Sequence, residues 1–110
     1  MTELSFQVEP WSPPGDATLE YESRTGHVRI TVRVGERRTG GYAIKVTRVT
    51  RTGPRLIVAC EVRSPGSDAI VTQVLTSPTQ TVSIAESGVR GVREAVLLDQ
   101  TGAELARISA

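Results

Sequence analysis

HVRITVRV, residues 27–34, alternates strictly: Val28, Ile30, Val32 and Val34 fall on one face, Arg29, Thr31 and Arg33 on the other. A period of two marks a half-buried β-strand, because successive Cβ atoms point to opposite sides of a pleated chain. The apolar face then needs a cover, and the two arginines are expected to face solvent together. Two further runs repeat the pattern. RLIVACEVR (55–63) puts Leu56, Val58, Cys60 and Val62 in phase, and VREAVLL (92–98) opposes Val92, Val96 and Leu98 to Arg93 and Glu94. YAIKVTRVTR (42–51) slips: Tyr42, Ile44 and Val46 share a face, but the next valine is Val49. A β-bulge near Thr47 and Arg48 restores the alternation and bends the strand.

Clusters rich in glycine or proline punctuate these runs near residues 25, 38, 53, 66, 77, 89 and 101. Glycine supplies positive φ and proline presets φ, so each is a turn with a mechanism. ELSFQVE alternates Leu4, Phe6 and Val8 and reads as one edge strand, which PWSPPGD then breaks. AELARIS at the end pairs as a hairpin with EAVLLD across DQTG. Helical spacing is not sustained over ten residues anywhere. The expectation is an all-β fold of about eight mostly antiparallel strands, a sandwich or partly open barrel, forming a single small domain over 1–110.

Composition narrows the function classes. No apolar run nears the ~18–20 residues of a membrane span. MTELSFQVEPW has no basic region followed by an apolar one, so the sequence as written is expected to be cytoplasmic. Cys60 is the only cysteine, which removes internal disulfides and cysteine zinc sites and leaves a small buried hydrophobe. His27 is the only histidine, at the foot of a strand beside a turn, and no nucleophile or acid partner is identifiable around it. Glu20 and Glu22 lie two apart on one strand face, a wet face rather than a glycosidase pair. The expectation is a non-enzyme with no cofactor and no metal.

Charge is uneven. Residues 24–63 carry ten basic side chains against Glu36 and Glu61, whereas the rest of the chain carries three basic and ten acidic. Basic central strands paired with acidic outer ones are favoured over a surface for an acidic partner. A nucleic-acid site built on Arg29, Arg33, Arg37 and Arg38 is the weaker alternative, since Tyr42 is the sole aromatic inside the basic segment. GERRTGG (35–41) leads into a strand, not a helix, and so lacks the dipole and amides of a phosphate loop.

The blocks T-G-G-Y (39–42) and V-T-Q-V-L-T-S-P (71–78), with the strands between them and a closing V-x-I, resemble the C-terminal domain of the PrcB family of protease-complex subunits over residues 35–84. That resemblance implies a small β domain that binds and stabilises a secreted protease without catalysing a reaction, and it implies export where the chain is part of a longer protein. The exposed contact candidates are Arg37, Arg38, Thr39, Gly40, Gly41 and Tyr42. The expected partner is a protein, with a protease as one candidate and a second copy of the chain as another, and no membrane; a protease-inhibitor role for the same loop is the alternative. Gln73 is placed to bond the T-G-G-Y backbone, so the two blocks are expected to pack as a corner. Gly41→Val should then cost roughly 1–3 kcal/mol, and an unchanged thermal melt would remove the corner.

Overall fold

Each alternating run of the sequence forms a strand. The computed structural model describes residues 1–15, 17–34, 43–63 and 78–110. Among them are nine strands: β1 (Thr2–Leu4), β2 (Gln7–Val8), β3 (Leu19–Arg24), β4 (His27–Arg33), β5 (Ala43–Thr52), β6 (Arg55–Arg63), β7 (Thr79–Ala85), β8 (Glu94–Leu98) and β9 (Glu104–Ser109), with one 3-10 turn at Glu86–Gly88. They make a two-sheet sandwich. One sheet has the order β1-β5-β6-β8-β9 and the other β2-β7-β4-β3. All pairs are antiparallel except β6–β8, whose connection passes through β7 in the opposite sheet. The hairpins β3–β4, β5–β6 and β8–β9 turn at Gly26, Gly53 and Gly102, each at positive φ.

The apolar faces meet as expected. Val28, Ile30 and Val32 of β4, with Val82 and Ile84 of β7, pack on Ile44, Val46 and Val49 of β5 and Leu56, Val58 and Cys60 of β6. Burying each of the larger aliphatic chains stabilises the fold by about 1.5–3 kcal/mol. The β5 bulge is present: Val46 pairs with Cys60 and Arg48 with Ala59, leaving Thr47 as the extra residue. The Thr47 hydroxyl donates to the Ala59 carbonyl at 3.2 Å. The freed Val46 N–H donates across the sandwich to Gln80 Oε1 of β7 at 2.7 Å, joining the two sheets by a part-buried hydrogen bond.

Three expectations require correction. The N-terminal alternation is two strands, not one: β1 pairs with β5, and β2 pairs with β7 in the other sheet. Leu4 and Phe6 both pack against the core, so the period of two continues while the chain changes sheets. The β8 phase is displaced by one: Ala95 and Leu97 face the core, and Val96 lies on the opposite face yet is only 4% exposed. A strand covered on both sides reads as a continuous apolar run, from which no phase can be taken.

The third concerns the polar face of β4. Arg33 is 2% exposed, not solvent-facing, and Thr31 is buried with its hydroxyl 2.8 Å from that of Thr81. The Arg33 guanidinium donates to the carbonyls of Pro13 (2.5 Å) and Ala17 (2.9 Å) and lies 3.1 Å from Glu20 Oε1. Gly15 approaches so closely that a Cβ there would stand 3.1 Å from both Arg33 Nη2 and Glu20 Oε1. Replacing Arg33 by Met should cost roughly 2–4 kcal/mol, because two carbonyls lose their donors while half-exposed Glu20 regains water. Urea unfolding measures this; a loss below about 1 kcal/mol would show that the 9–18 segment is held by something else.

Candidate docking surface

Strand register fixes where the two family-like blocks hang. Arg33 pairs with Thr79, the Val34 N–H donates to the Pro78 carbonyl at 3.1 Å, and Ala43 pairs with Arg63. The connections 34–43 and 63–79 therefore leave from the same end of the sandwich. Each carries the chain from one sheet to the other, in opposite directions. Sheets stack about 10 Å apart, so neither crossing can be a two-residue turn. The candidates Arg37, Arg38, Thr39, Gly40, Gly41 and Tyr42 lie outside the described residues, as does Gln73. Their anchoring strands stand side by side; contact between the two blocks falls outside what is described.

Arg33 and Val34 also root a third segment at this end. The Arg33 backbone N–H donates to the Thr18 carbonyl at 2.8 Å, while its side chain holds Pro13 and Ala17. On the other flank the Glu9 N–H donates to the Thr81 carbonyl at 2.8 Å. Between these anchors Trp11 is 60% exposed, and neighbouring Val8 is 56% exposed. By sequence alone PWSPPGD reads only as a strand breaker. Its one tryptophan in a proline-rich stretch was the available signal, but the clamp that holds the stretch is set by a side chain some twenty residues away.

Six of the eight described basic residues of the central segment have a glutamate within 4 Å. Arg29 lies 3.9 Å from Glu9, Arg48 2.9 Å from Glu3, and Arg55 3.9 Å from Glu94, each joining a basic central strand to an acidic outer segment. Arg24 and Arg63 pair with Glu22 and Glu61 on their own strands. Glu20, read as lying on a wet face, is the partner of Arg33. Arg33 is thus withdrawn from any phosphate-binding stripe, and Arg29 already faces a carboxylate.

The remaining reactive groups are separated. His27 is half-buried and lines an open groove of about 620 Å³ together with Phe6, Glu9 and Ser83. Cys60 is buried on the core face of β6, where desolvation, and secondarily the Asp99 charge, push its thiol up to about 11. Asp99 accepts from the Thr101 hydroxyl and from the Thr101 and Ala103 amides, which hold its carboxyl below the usual range and shape the β8–β9 turn. Among the described residues no group of three His, Cys, Asp or Glu is placed to hold a metal. No helix among them is long and apolar enough to cross a membrane.

A family model described as PrcB C-terminal matches residues 29–85, just over half of the chain. No curated protein and no solved structure matches. The matched span runs from β4 to β7, the four strands at the middle of the sandwich, and includes both crossings.

Burial of Cys60 predicts its chemistry. With the thiol raised from 9.0 to about 11, the thiolate fraction near pH 8 falls about 100-fold below that of an unfolded chain. Alkylation by iodoacetamide should be slower by at least that factor in the folded protein. The same shift makes the fold lose stability as pH rises above 9, where only the unfolded thiol ionises readily. Equal labelling rates with and without denaturant would show that β6 is open to solvent.

Proposed function

The chain belongs to the PrcB C-terminal family, and from that premise we propose that it is a non-catalytic interaction domain that docks on a protease and stabilises the complex. The family match itself suggests a protease-complex-associated subunit. The finer assignment rests on one observation: the matched strands send both of their sheet-to-sheet connections out at one end of the sandwich. Two long connections on a rigid two-sheet base suit recognition, because binding residues concentrate on loops positioned by a scaffold. The base here is rigid for stated reasons: a shared apolar core, the Gln80–Val46 bond between sheets, and the buried Arg33.

Arg37 and Arg38 are the contact residues we propose for the first connection, with Thr39, Gly40, Gly41 and Tyr42 following them in sequence. Arginine is enriched at interface hot spots, where its planar guanidinium bonds carboxylates and carbonyls in pairs. A nucleic-acid role is disfavoured because five arginines of the basic segment meet glutamates within this chain and a sixth, Arg33, is buried. Co-purification from the native host should recover a protease. Reversing both charges (Arg37→Glu with Arg38→Glu) should weaken that complex at least tenfold without lowering the melting temperature. Recovery of no protease would overturn the reading, and undiminished binding by the charge-reversed protein would move the contact away from this loop.

A further inference from the structure

We propose that Gln80 is a positioning residue of the docking surface: its carboxamide holds the roots of the two connections in one register across the sandwich. The inference deepens the protease-docking reading above and rests on it for what the connections meet. Gln80 itself touches no partner in this account.

The connections 34–43 and 63–79 have four roots, and strand pairing ties them within each sheet. In one sheet Arg33 pairs with Thr79 and the Val34 N–H donates to the Pro78 carbonyl; in the other Ala43 pairs with Arg63. Each tie joins a root of the first connection to a root of the second. Neither sets where one sheet's roots stand relative to the other's. The facing sides of the sheets are apolar, and burial of apolar area is non-directional. It draws the sheets together with little preference for a particular slide. A hydrogen bond, by contrast, has a preferred length and angle. The Val46 N–H donates to Gln80 Oε1 at 2.7 Å, from the fourth residue of β5 to the second of β7. Those are the two strands that begin where the connections end.

The choice of residue carries the argument further. Gln80 pairs with Val32 and is in phase with Val82 and Ile84, so it stands at an inward-facing position of β7, where the strand pattern calls for an apolar side chain. It is half-buried there. A carboxamide turned inward costs free energy unless its polar atoms are met. The bulge at Thr47 supplies the complement, a Val46 N–H without a ladder partner. Only the oxygen of the carboxamide can accept from that N–H, which orients the group with Oε1 toward β5. A leucine or methionine at the same place would pack but leave the Val46 amide unmet. The bulge and the glutamine thus act as a matched pair, placed within four residues of both connection ends. Shifting either partner moves a root.

Three variants test this by hydrogen exchange and by partner affinity. Gln80→Met keeps the length and removes the acceptor, Gln80→Glu keeps an acceptor oxygen, and Ile30→Val loosens the core of the same sheet without touching the bond. Gln80→Met should speed amide exchange about tenfold or more at both roots, residues 43–46 and 79–81, with the β8–β9 hairpin unchanged. Gln80→Glu should keep the wild-type rates at both. Affinity for the protease that the wild-type protein recovers, measured well below every melting transition, should fall about tenfold in Gln80→Met. It should stay at the wild-type value in Gln80→Glu and in Ile30→Val, which separates positioning from a general loss of stability. Exchange quickened at Val46 alone, undiminished affinity in Gln80→Met, or an equal loss in Ile30→Val would each overturn the proposal. A wild-type protein that recovers no protease removes the docking reading instead; exchange then decides the positioning by itself, quickening at both roots supporting it and quickening at one overturning it.

Discussion

The structure depends on a charge buried where the sequence pattern places a solvated one. Burying a guanidinium is expensive unless its donors are met. Arg33 meets that demand with two backbone carbonyls and the Glu20 carboxylate, none from its own strand. Satisfying those donors brings the carbonyls of Pro13 and Ala17 to the Arg33 side of β4, the side on which Thr31 and Thr81 are buried with their hydroxyls 2.8 Å apart. Arg33 also sits at the last register position of β4, directly before the first crossing. The clamped segment and the connections are consequently rooted in common.

A second constraint acts within the core. Strand β5 spans ten residues, longer than the typical five or six, and without an inserted residue Val49 would point away from Ile44 and Val46. The extra Thr47 returns all three to the inner face. It also leaves the Val46 amide without a ladder partner, and Gln80 reaches across from the facing sheet to accept it. At the far edge of β6 a side chain does similar work: the Gln100 amide both donates to and accepts from Val62, standing in for the strand that β8 does not supply there. A bulge and two glutamines thus blunt edges that would otherwise invite pairing with other chains.

Much of this was legible and the reasons it was legible are local. Valine alternation in β4 and β6 marks their core faces, glycine-bearing turns fall at all three hairpins, and the misplaced Val49 marks the bulge. The unreadable parts depend on residues distant in sequence. Nothing in VREAVLL distinguishes an Ala95–Leu97 core face from the Val96–Leu98 alternative, because β8 is covered on both sides. Leu4 and Phe6 keep a period of two while the chain passes between sheets. The Arg33 clamp joins residues 13, 17, 20 and 33, and periodicity carries no information about such a set. The family-like blocks were found by motif, yet their shared end emerges only from strand register.

The division of the sandwich into a middle and edges decides the path of the N-terminal segment. Strands β4 to β7 form the matched centre and hold both crossings, while β1 to β3 and β8 and β9 flank it. A central unit of two facing strand pairs has open edges on every side, so flanking strands are needed to complete the sheets. The N-terminal flank does more than complete them. On its way from β2 to β3 the chain must travel from one edge of the second sheet to the other, because the order is β2-β7-β4-β3. That path crosses the outer face, meets Arg33, and lifts Trp11 into solvent beside the end from which both crossings leave. Sheet order and the Arg33 clamp together thus carry the exposed tryptophan on a segment rooted beside that end. The clamp grips that segment through main-chain carbonyls, which any residue at positions 13 and 17 provides, whereas position 15 has little room for a Cβ beside the guanidinium.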